Sequence, residues 1–159
     1  MNTKLPYCKT NESVKGYNDS KIAFSENNDC VVRAIASCFD VTYDESHKFC
    51  ENIFKRKFRK GVRMFNHQME WYFNNGGKIS DKSAKLIGKY SQLYYNVKVK
   101  GEIKKRALTV GKFIKENQEG SFLVTTVGHA FTIKDGVVMG NFEDAQKTKK
   151  ILQSIWKIV

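Results

Sequence analysis

Apolar side chains recur at helical spacing in the first half of the chain. Over Cys30–Phe39 they fall on one face of a helix, and the polar residues Asn28 and Asp29 precede it as candidate N-caps. Thr42 is followed three residues later by Glu45, the spacing of a capping box. The pattern therefore predicts one helix that begins at the first of these positions and a second that begins after the threonine.

The middle of the chain mixes helical and extended patterns. Asn66–Phe73 is predicted to be a third helix, and Asn74–Gly77 gives it a strong stop signal. Ser83–Tyr90 is interpreted as a short helix, whereas Leu93–Val99 has the β-branched and aromatic composition of a strand. Thr109 is a candidate N-cap for a further helix.

The last third of the chain is rich in strand-forming residues. Ser121–Val127 and His129–Lys134 are predicted strands, and Asp135–Gly136 is a hairpin signal from which residues 137–139 return. Residues 151–159 fit a final strand. Helices first and antiparallel strands last predict an α+β domain, with N-terminal helices packed on a C-terminal antiparallel sheet.

Length and patterning bound the organisation of the chain. Its 159 residues suffice for one domain, which we expect over residues 21–159, after a polar lead-in of residues 1–20. No apolar run approaches the roughly 20 residues of a membrane span, and the first residues lack the apolar core of a signal peptide. We therefore expect a cytoplasmic protein without a membrane partner.

The chain carries a large excess of positive charge. Its 28 Lys and Arg against 16 Asp and Glu give a net charge of +12, and the excess is concentrated in residues 55–60, 98–106 and 147–150. Such a basic face suits contact with a polyanion, or simple solubility. Runs of lysine more often form a solvated surface than a specific binding site, so the charge alone does not decide between these functions.

Four cysteines, Cys8, Cys30, Cys38 and Cys50, lie in the first third of the chain. None forms a Cys-x-x-Cys pair and no histidine has zinc-finger spacing, so neither a metal nor a cofactor is expected. Cys38 and Cys50 share apolar helix faces and are interpreted as core residues. Cys8 lies in the polar lead-in and is assigned no role.

Cys30 and His129 are the candidates for chemistry. A thiol at the start of a helix meets unpaired backbone N–H groups and the positive end of the helix dipole, and both favour the thiolate. A nucleophilic thiolate needs an imidazole partner, and His129 at the start of a predicted strand is the best-placed histidine. The hairpin at Asp135–Gly136 returns Asn141 alongside residues 129–130, and Asp144 and Asp135 are rival third members of the group.

Two segments carry a resemblance to a known family. Asn28–Ala34, with its Asp-Cys helix start, and Gly128–Val138, with its Gly-His strand, resemble the signature segments of small phage-encoded papain-like cysteine peptidases. They are also similar to the peptidase domains of bacteriocin-processing transporters, and residues 109–124 resemble the helix and strand that lead to the histidine there. Together these segments cover about a third of the chain, and the resemblance implies a papain-like fold.

The resemblance also implies roles for individual residues. Cys30 is the expected nucleophile, His129 the general base and acid, and Asn141 the group that orients the imidazole. The oxyanion hole would combine the Cys30 N–H with a side-chain amide. Papain-like enzymes usually have Gln about six residues before the nucleophile, and this chain has Phe24 there, so Asn28 or Asn27 is expected to substitute.

Three functions follow as hypotheses. The first is a papain-like cysteine peptidase or related thiol acyl-transfer enzyme, including a deamidase or transferase, acting on a peptide or protein amide. The second is a catalytically inactive papain-like module that binds a host or virion protein, which the missing Gln favours. The third is a basic nucleic-acid-binding protein, in which Tyr90, Tyr94 and Tyr95 lie close to lysines. A phage-encoded protein would act in the host cytoplasm, with virion association left open.

Overall fold

A six-stranded β-sheet forms the centre of the computed structural model, which describes residues 5–159; Met1–Lys4, the start of the predicted lead-in, lie outside the described residues. The strands are β1 (Tyr7–Lys9), β2 (Ala84–Lys89), β3 (Tyr94–Val99), β4 (Glu102–Ala107), β5 (Ser121–Thr126), β6 (His129–Lys134), β7 (Val137–Gly140) and β8 (Ser154–Ile158). The sheet has the order β1-β7-β6-β5-β8-β2, and β3 and β4 form a separate hairpin. Within the sheet, only the pairing of β1 with β7 is parallel.

Helices cover both faces of this sheet. They are α1 (Thr10–Ser13), α2 (Lys21–Ser25), α3 (Cys30–Phe39), α4 (Tyr43–Asn52), α5 (Phe65–Asn74), α6 (Val110–Glu116) and α7 (Phe142–Gln146), and a 3₁₀ turn spans Tyr90–Gln92. Buried side chains of α3, α4 and α5 pack on one face, whereas those of α6 and α7 pack on the other. The domain is therefore mixed α+β, as the order of helical and extended segments predicts. The packing of α6 and α7 on the second face of the sheet was not part of that prediction.

Helix α3 is the central helix of the first layer. Every residue from Val31 to Phe39 except Arg33 is buried, and the helix ends at Asp40, whose backbone has a left-handed φ of 60°. Two buried hydroxyl contacts fix it against β6: Ser37 Oγ donates to Thr132 Oγ1 at 2.8 Å, and Thr132 Oγ1 donates to the Ala34 carbonyl at 2.7 Å. These bonds fix the position of α3 relative to β6, the strand that begins with His129.

Two local predictions are confirmed by hydrogen bonds. Thr42 and Glu45 form the capping box at the start of α4, with the threonine hydroxyl accepting from the Glu45 N–H at 3.1 Å. Asp135 and Gly136 turn β6 into β7 with φ values of 49° and 76°. Two consecutive positive φ angles are what a tight two-residue hairpin requires. The hairpin therefore brings the chain back beside β6.

Two expectations for secondary structure differ from the structure. Residues 83–90 are not a short helix: Ala84–Lys89 is strand β2, because it pairs with β8 some 70 positions later in the chain, Ala84 opposite Ile158. The lead-in is also more ordered than expected, since Tyr7–Lys9 adds a strand to the sheet edge beside β7. Long-range pairing determines both segments, and local sequence patterns do not report it.

No helix among residues 5–159 is long and apolar enough to cross a membrane.

Candidate active site

The turn before Cys30 is held by a buried ion pair. The Glu26 carboxylate accepts from Arg56 Nη1 at 2.8 Å and contacts His47 Nε2 at 2.6 Å, and its side chain is fully buried. Arg56 Nη2 in turn donates to the carbonyls of Asn27 at 3.0 Å and Asn28 at 3.4 Å. Arg56 therefore fixes this turn. It belongs to the basic run of residues 55–60, but it is buried, with only 5% of its surface exposed.

Asp29 occupies the N-cap position of α3 but does not cap it with its side chain. Its carboxylate instead accepts from the Tyr43 hydroxyl at 2.8 Å and forms an ion pair with Arg33 Nε at 3.1 Å. Asn28, just before it, has a left-handed φ of 50°. The predicted helix start is confirmed, and the backbone N–H groups of the first turn remain available to a group at Cys30.

Cys30 begins α3 and His129 begins β6, and the two side chains are neighbours that line the same cleft and influence each other's pKa. Burial is the largest single influence on the Cys30 thiol and acts to raise its pKa. The bond with His129, the Ala130 N–H and the positive charges of His129 and Arg33 together outweigh it, so that the pKa lies below its usual value. The lowered pKa of the thiol next to the imidazole favours a thiolate paired with an imidazolium.

The third member of the group is Asp144. His129 Nε2 lies 2.9 Å from Asp144 Oδ1 and 3.0 Å from Oδ2, and the carboxylate is only 9% exposed. The hydrogen bond with this carboxylate, followed by that with Cys30, raises the pKa of His129 to about 9 against the opposing effect of burial. Since Nε2 is engaged with Asp144, Nδ1 is the ring nitrogen left to face the thiol.

Asn141, the predicted orienting residue, does not take that place. Its Oδ1 accepts from Arg33 Nη1 at 2.7 Å, so its side chain is turned towards the start of α3. Its backbone N–H donates to Asp144 Oδ2 at 3.1 Å, and it stands at the N-cap position of α7. The hairpin does return this residue next to β6, but the first turn of α7 presents the aspartate to the imidazole. Of the rivals left open, Asp135 lies in the hairpin turn itself.

The two predicted oxyanion donors point elsewhere. Asn28 Nδ2 donates to the Arg59 carbonyl at 3.1 Å, and Asn27 Oδ1 accepts from the Asn28 N–H at 2.8 Å. Neither side chain lines the cleft that opens at Cys30. These asparagines shape the turn before Cys30, and their contacts do not support the expectation that they donate into the site.

The cleft at Cys30 has a volume of about 560 Å³ and reaches from the start of α5 to the β5–β6 turn. Much of its lining is apolar; the residues are Val31, Val62, Met64, Phe65, Tyr90 and Val127. Two of these are unusually exposed for apolar side chains, Met64 at 71% and Val127 at 74%. A groove of this size with exposed apolar side chains at its rim suits an extended ligand with apolar groups.

Asn66 is a cleft residue that sequence reasoning missed. It lies in the first turn of α5 and lines the cleft together with Cys30 and His129. Its Oδ1 accepts from the indole N–H of buried Trp156 at 3.1 Å, which fixes the amide and leaves the two Nδ2 hydrogens for the cleft. Gln153 is the second carboxamide in the lining. No local motif marks either residue.

Of the other cysteines and histidines that the structure describes, His67 lines the same cleft from the first turn of α5, whereas Cys38, Cys50 and His47 lie outside its lining. Cys38 and Cys50 are buried, which raises the pKa of both thiols, that of Cys50 to about 12. This agrees with their interpretation as core residues. His47 is buried and contacts the Glu26 carboxylate, although charged residues flank it in the sequence.

Within residues 5–159, no cluster of three His, Cys, Asp or Glu side chains is arranged to hold a metal ion. The chemistry that the arrangement offers is that of a nucleophilic thiolate, an imidazolium beside it and a carboxylate behind the imidazolium. That is the set of groups needed for attack on a carbonyl followed by proton delivery to a leaving group.

Comparison with known proteins adds no relative to this geometry, since no family model, no curated protein and no solved structure matches the chain.

Proposed function

We propose that this chain is a papain-like cysteine peptidase, or a related thiol acyl-transfer enzyme, that acts on an amide bond of a peptide or protein. The observation that carries the proposal is the Cys30–His129–Asp144 arrangement, with the thiol at a helix start and the imidazole held by a buried carboxylate. The order of the cysteine and the histidine along the chain and the resemblance of the two signature segments support the same proposal.

In the first half of the reaction, the Cys30 thiolate attacks the amide carbonyl carbon and the carbonyl π electrons move to oxygen. As the tetrahedral intermediate collapses, the C–N bond breaks and the proton on His129 Nδ1 passes to the leaving amine. The product is a thioester on Cys30. Asp144 keeps Nε2 protonated and holds the ring in place throughout.

In the second half, His129 takes a proton from water, and the resulting hydroxide attacks the thioester carbon. The C–S bond breaks, the electron pair returns to sulfur as thiolate, and a carboxylic acid leaves. An amine in place of water would give transfer instead of hydrolysis. The thiolate–imidazolium pair is regenerated in both cases.

The developing oxyanion needs donors that face the carbonyl oxygen. The backbone N–H of Cys30, the first residue of α3, has no acceptor within its own helix. We assign the second donor to Asn66 Nδ2, because that amide is fixed by Trp156 and Asn66 lines the same cleft as Cys30. A donor from α5 would replace the upstream Gln that this chain lacks.

The cleft suggests the class of substrate. Apolar side chains at its rim, among them Met64, Phe65 and Val127, suit an extended peptide with a bulky apolar residue near the bond that is broken. A fluorogenic peptide amide with Leu or Phe at that position is thus expected to be a better substrate than one with Asp.

The test combines turnover with covalent labelling. Wild-type protein and Cys30→Ala are incubated with the fluorogenic amides and, separately, with a peptidyl vinyl sulfone, and the adduct is located by mass spectrometry. The proposal expects cleavage that disappears in Cys30→Ala and a single adduct on Cys30. Labelling of Cys30 without turnover on any amide would favour the inactive binding module, and labelling spread over all four cysteines would overturn both.

A further inference from the structure

The β3–β4 hairpin is a basic ribbon that the proposed chemistry does not use. Its residues 94–107 carry five cations, Lys98, Lys100, Lys104, Lys105 and Arg106, against one carboxylate, Glu102. The strands are paired in register from Tyr94 opposite Ala107 to Val99 opposite Glu102. The turn at Lys100 and Gly101 has positive φ at both residues, 51° and 83°. The result is a regular two-stranded arm about 20 Å long.

This arm stands out from the rest of the domain. All residues of β4 from Glu102 to Arg106 are exposed, and Ile103 is 75% exposed. On β3, exposed and half-buried positions alternate, so Tyr94, Asn96 and Lys98 face solvent. A strand that is exposed along its whole length contributes little to the core. The regular geometry of the hairpin comes instead from the hydrogen bonds between its two strands.

The charge on the arm is not neutralised within the protein. Among residues 5–159, the ion pairs involve other cations, and none includes one of the five on the hairpin. Lys105 Nζ lies 5.8 Å from the centre of the Tyr94 ring, which itself is 47% exposed. The arm thus combines uncompensated positive charge with an exposed aromatic face. Such a combination fits a phosphodiester backbone.

We infer that the β3–β4 hairpin binds nucleic acid through its phosphates. A two-stranded ribbon has the width that enters the major groove of a duplex, and lysines on both strands reach the phosphates on either side. Of the tyrosines near lysines in this region, Tyr94 is the one placed to contact nucleic acid, because it faces solvent on the hairpin. Tyr95 is half-buried, with Lys112 over its ring at 4.3 Å, and Tyr90 lies outside the hairpin and lines the cleft. The inference is independent of chemistry at Cys30.

Fluorescence anisotropy with a labelled duplex of about 20 base pairs of mixed sequence tests it, over a series of salt concentrations. Wild type is compared with Lys98→Gln/Lys100→Gln/Lys105→Gln. The matched control is Lys21→Gln/Lys48→Gln/Lys85→Gln, which removes the same charge from exposed lysines elsewhere. The hairpin variant is expected to lose most of the binding, and the slope of log K against log salt should become less steep by about three. The control variant should change neither the affinity nor the slope by much.

Three results would overturn the inference: no binding of wild type at low salt, equal losses in the two triple variants, or displacement of the duplex by polyglutamate at equal charge concentration. The last would assign the arm to an acidic protein. Cys30→Ala should bind like wild type, which separates this inference from the proposed enzyme. An unchanged rate of Cys30 alkylation in the hairpin variant shows that it is folded.

Discussion

Asp144 holds the imidazole of His129, with its two carboxylate oxygens 2.9 and 3.0 Å from Nε2. The position of Asp144 is fixed by the first turn of α7, where Oδ2 also accepts the Asn141 N–H at 3.1 Å. Gly140 is part of the same fit, since a Cβ there would lie 3.1 Å from that oxygen. The carboxylate is therefore oriented before any substrate arrives.

The first prediction concerns the two candidates for the third site residue. Asp144→Asn is expected to lower kcat/KM for amide cleavage by about 10²–10⁴, because the amide favours the wrong imidazole tautomer and removes a negative charge from beside it. Asn141→Ala, which removes a side chain bound to Arg33, is expected to keep most of the activity. Steady-state kinetics on one fluorogenic amide compares them. A larger loss in Asn141→Ala would return the orienting role to the asparagine.

The second prediction is a pH profile. The thiolate forms as pH rises through a Cys30 pKa that lies below its usual value, and the imidazolium is lost as pH rises through about 9. Between these values the pair is charged and competent, so kcat/KM should be bell-shaped with its alkaline limb near pH 9. In Asp144→Asn the pKa of His129 falls, and the alkaline limb should move to lower pH.

Alkylation measures the acid side of the same profile without a substrate. At pH 6, iodoacetamide should modify Cys30 much faster than Cys38 or Cys50, whose burial raises the pKa of both thiols and restricts access. Peptide mapping by mass spectrometry gives the rate for each cysteine. Similar rates at the three positions would mean that His129 does not activate the thiol.

Local signals in the sequence were enough to place Cys30 at the start of a helix and His129 at the start of a strand. A capping box, a helix with one apolar face and an Asp-Gly hairpin each depend on residues a few positions apart, and all three are present in the structure. The helix expected over residues 83–90 is wrong because β2 is formed by its pairing with β8. Papain-likeness of the fold remains a proposal.

The rest of the site depends on directions that a sequence does not report. Register along the hairpin places the backbone of Asn141 beside β6, but the short helix that follows decides which side chain turns inwards. Asn66 reaches the cleft because α5 packs near Cys30. The two residues are far apart in the chain, so no local pattern in the sequence indicates that they share a cleft. In both cases the residue lies in the first turn of a helix, and the sequence did not indicate in which direction its side chain points.

The third prediction tests the oxyanion donor. Asn66→Ala is expected to lower kcat for amide cleavage by about 10²–10³, since a donor that acts on the oxyanion stabilises the transition state more than the bound substrate. The rate of Cys30 alkylation should stay near that of wild type, because thiolate formation does not use this amide. Gln153→Ala is the matched control, a carboxamide removed from the same cleft. Loss of activity in Gln153→Ala alone would transfer the role to that residue.

The fourth prediction concerns the ion pair behind the nucleophile. Burial acts to raise the pKa of Glu26, but hydrogen bonds from Arg56, His47 and nearby backbone N–H groups lower it to about 2. Because this folded-state pKa lies below the ordinary value of 4.5, the pair stabilises the fold above pH 4.5. That stabilisation is lost as pH falls towards 2.

Glu26→Gln is expected to destabilise the protein by about 3–5 kcal/mol at neutral pH, since it leaves the buried Arg56 guanidinium without a counter-charge. Its stability should then depend less on pH below 4.5 than that of wild type. Urea unfolding at several pH values measures both effects, with Glu51→Gln as an exposed control on α4. Since Arg56 also holds the carbonyls of Asn27 and Asn28, alkylation of Cys30 should slow in the folded variant. Unchanged stability and unchanged alkylation would show that the pair does not position the nucleophile.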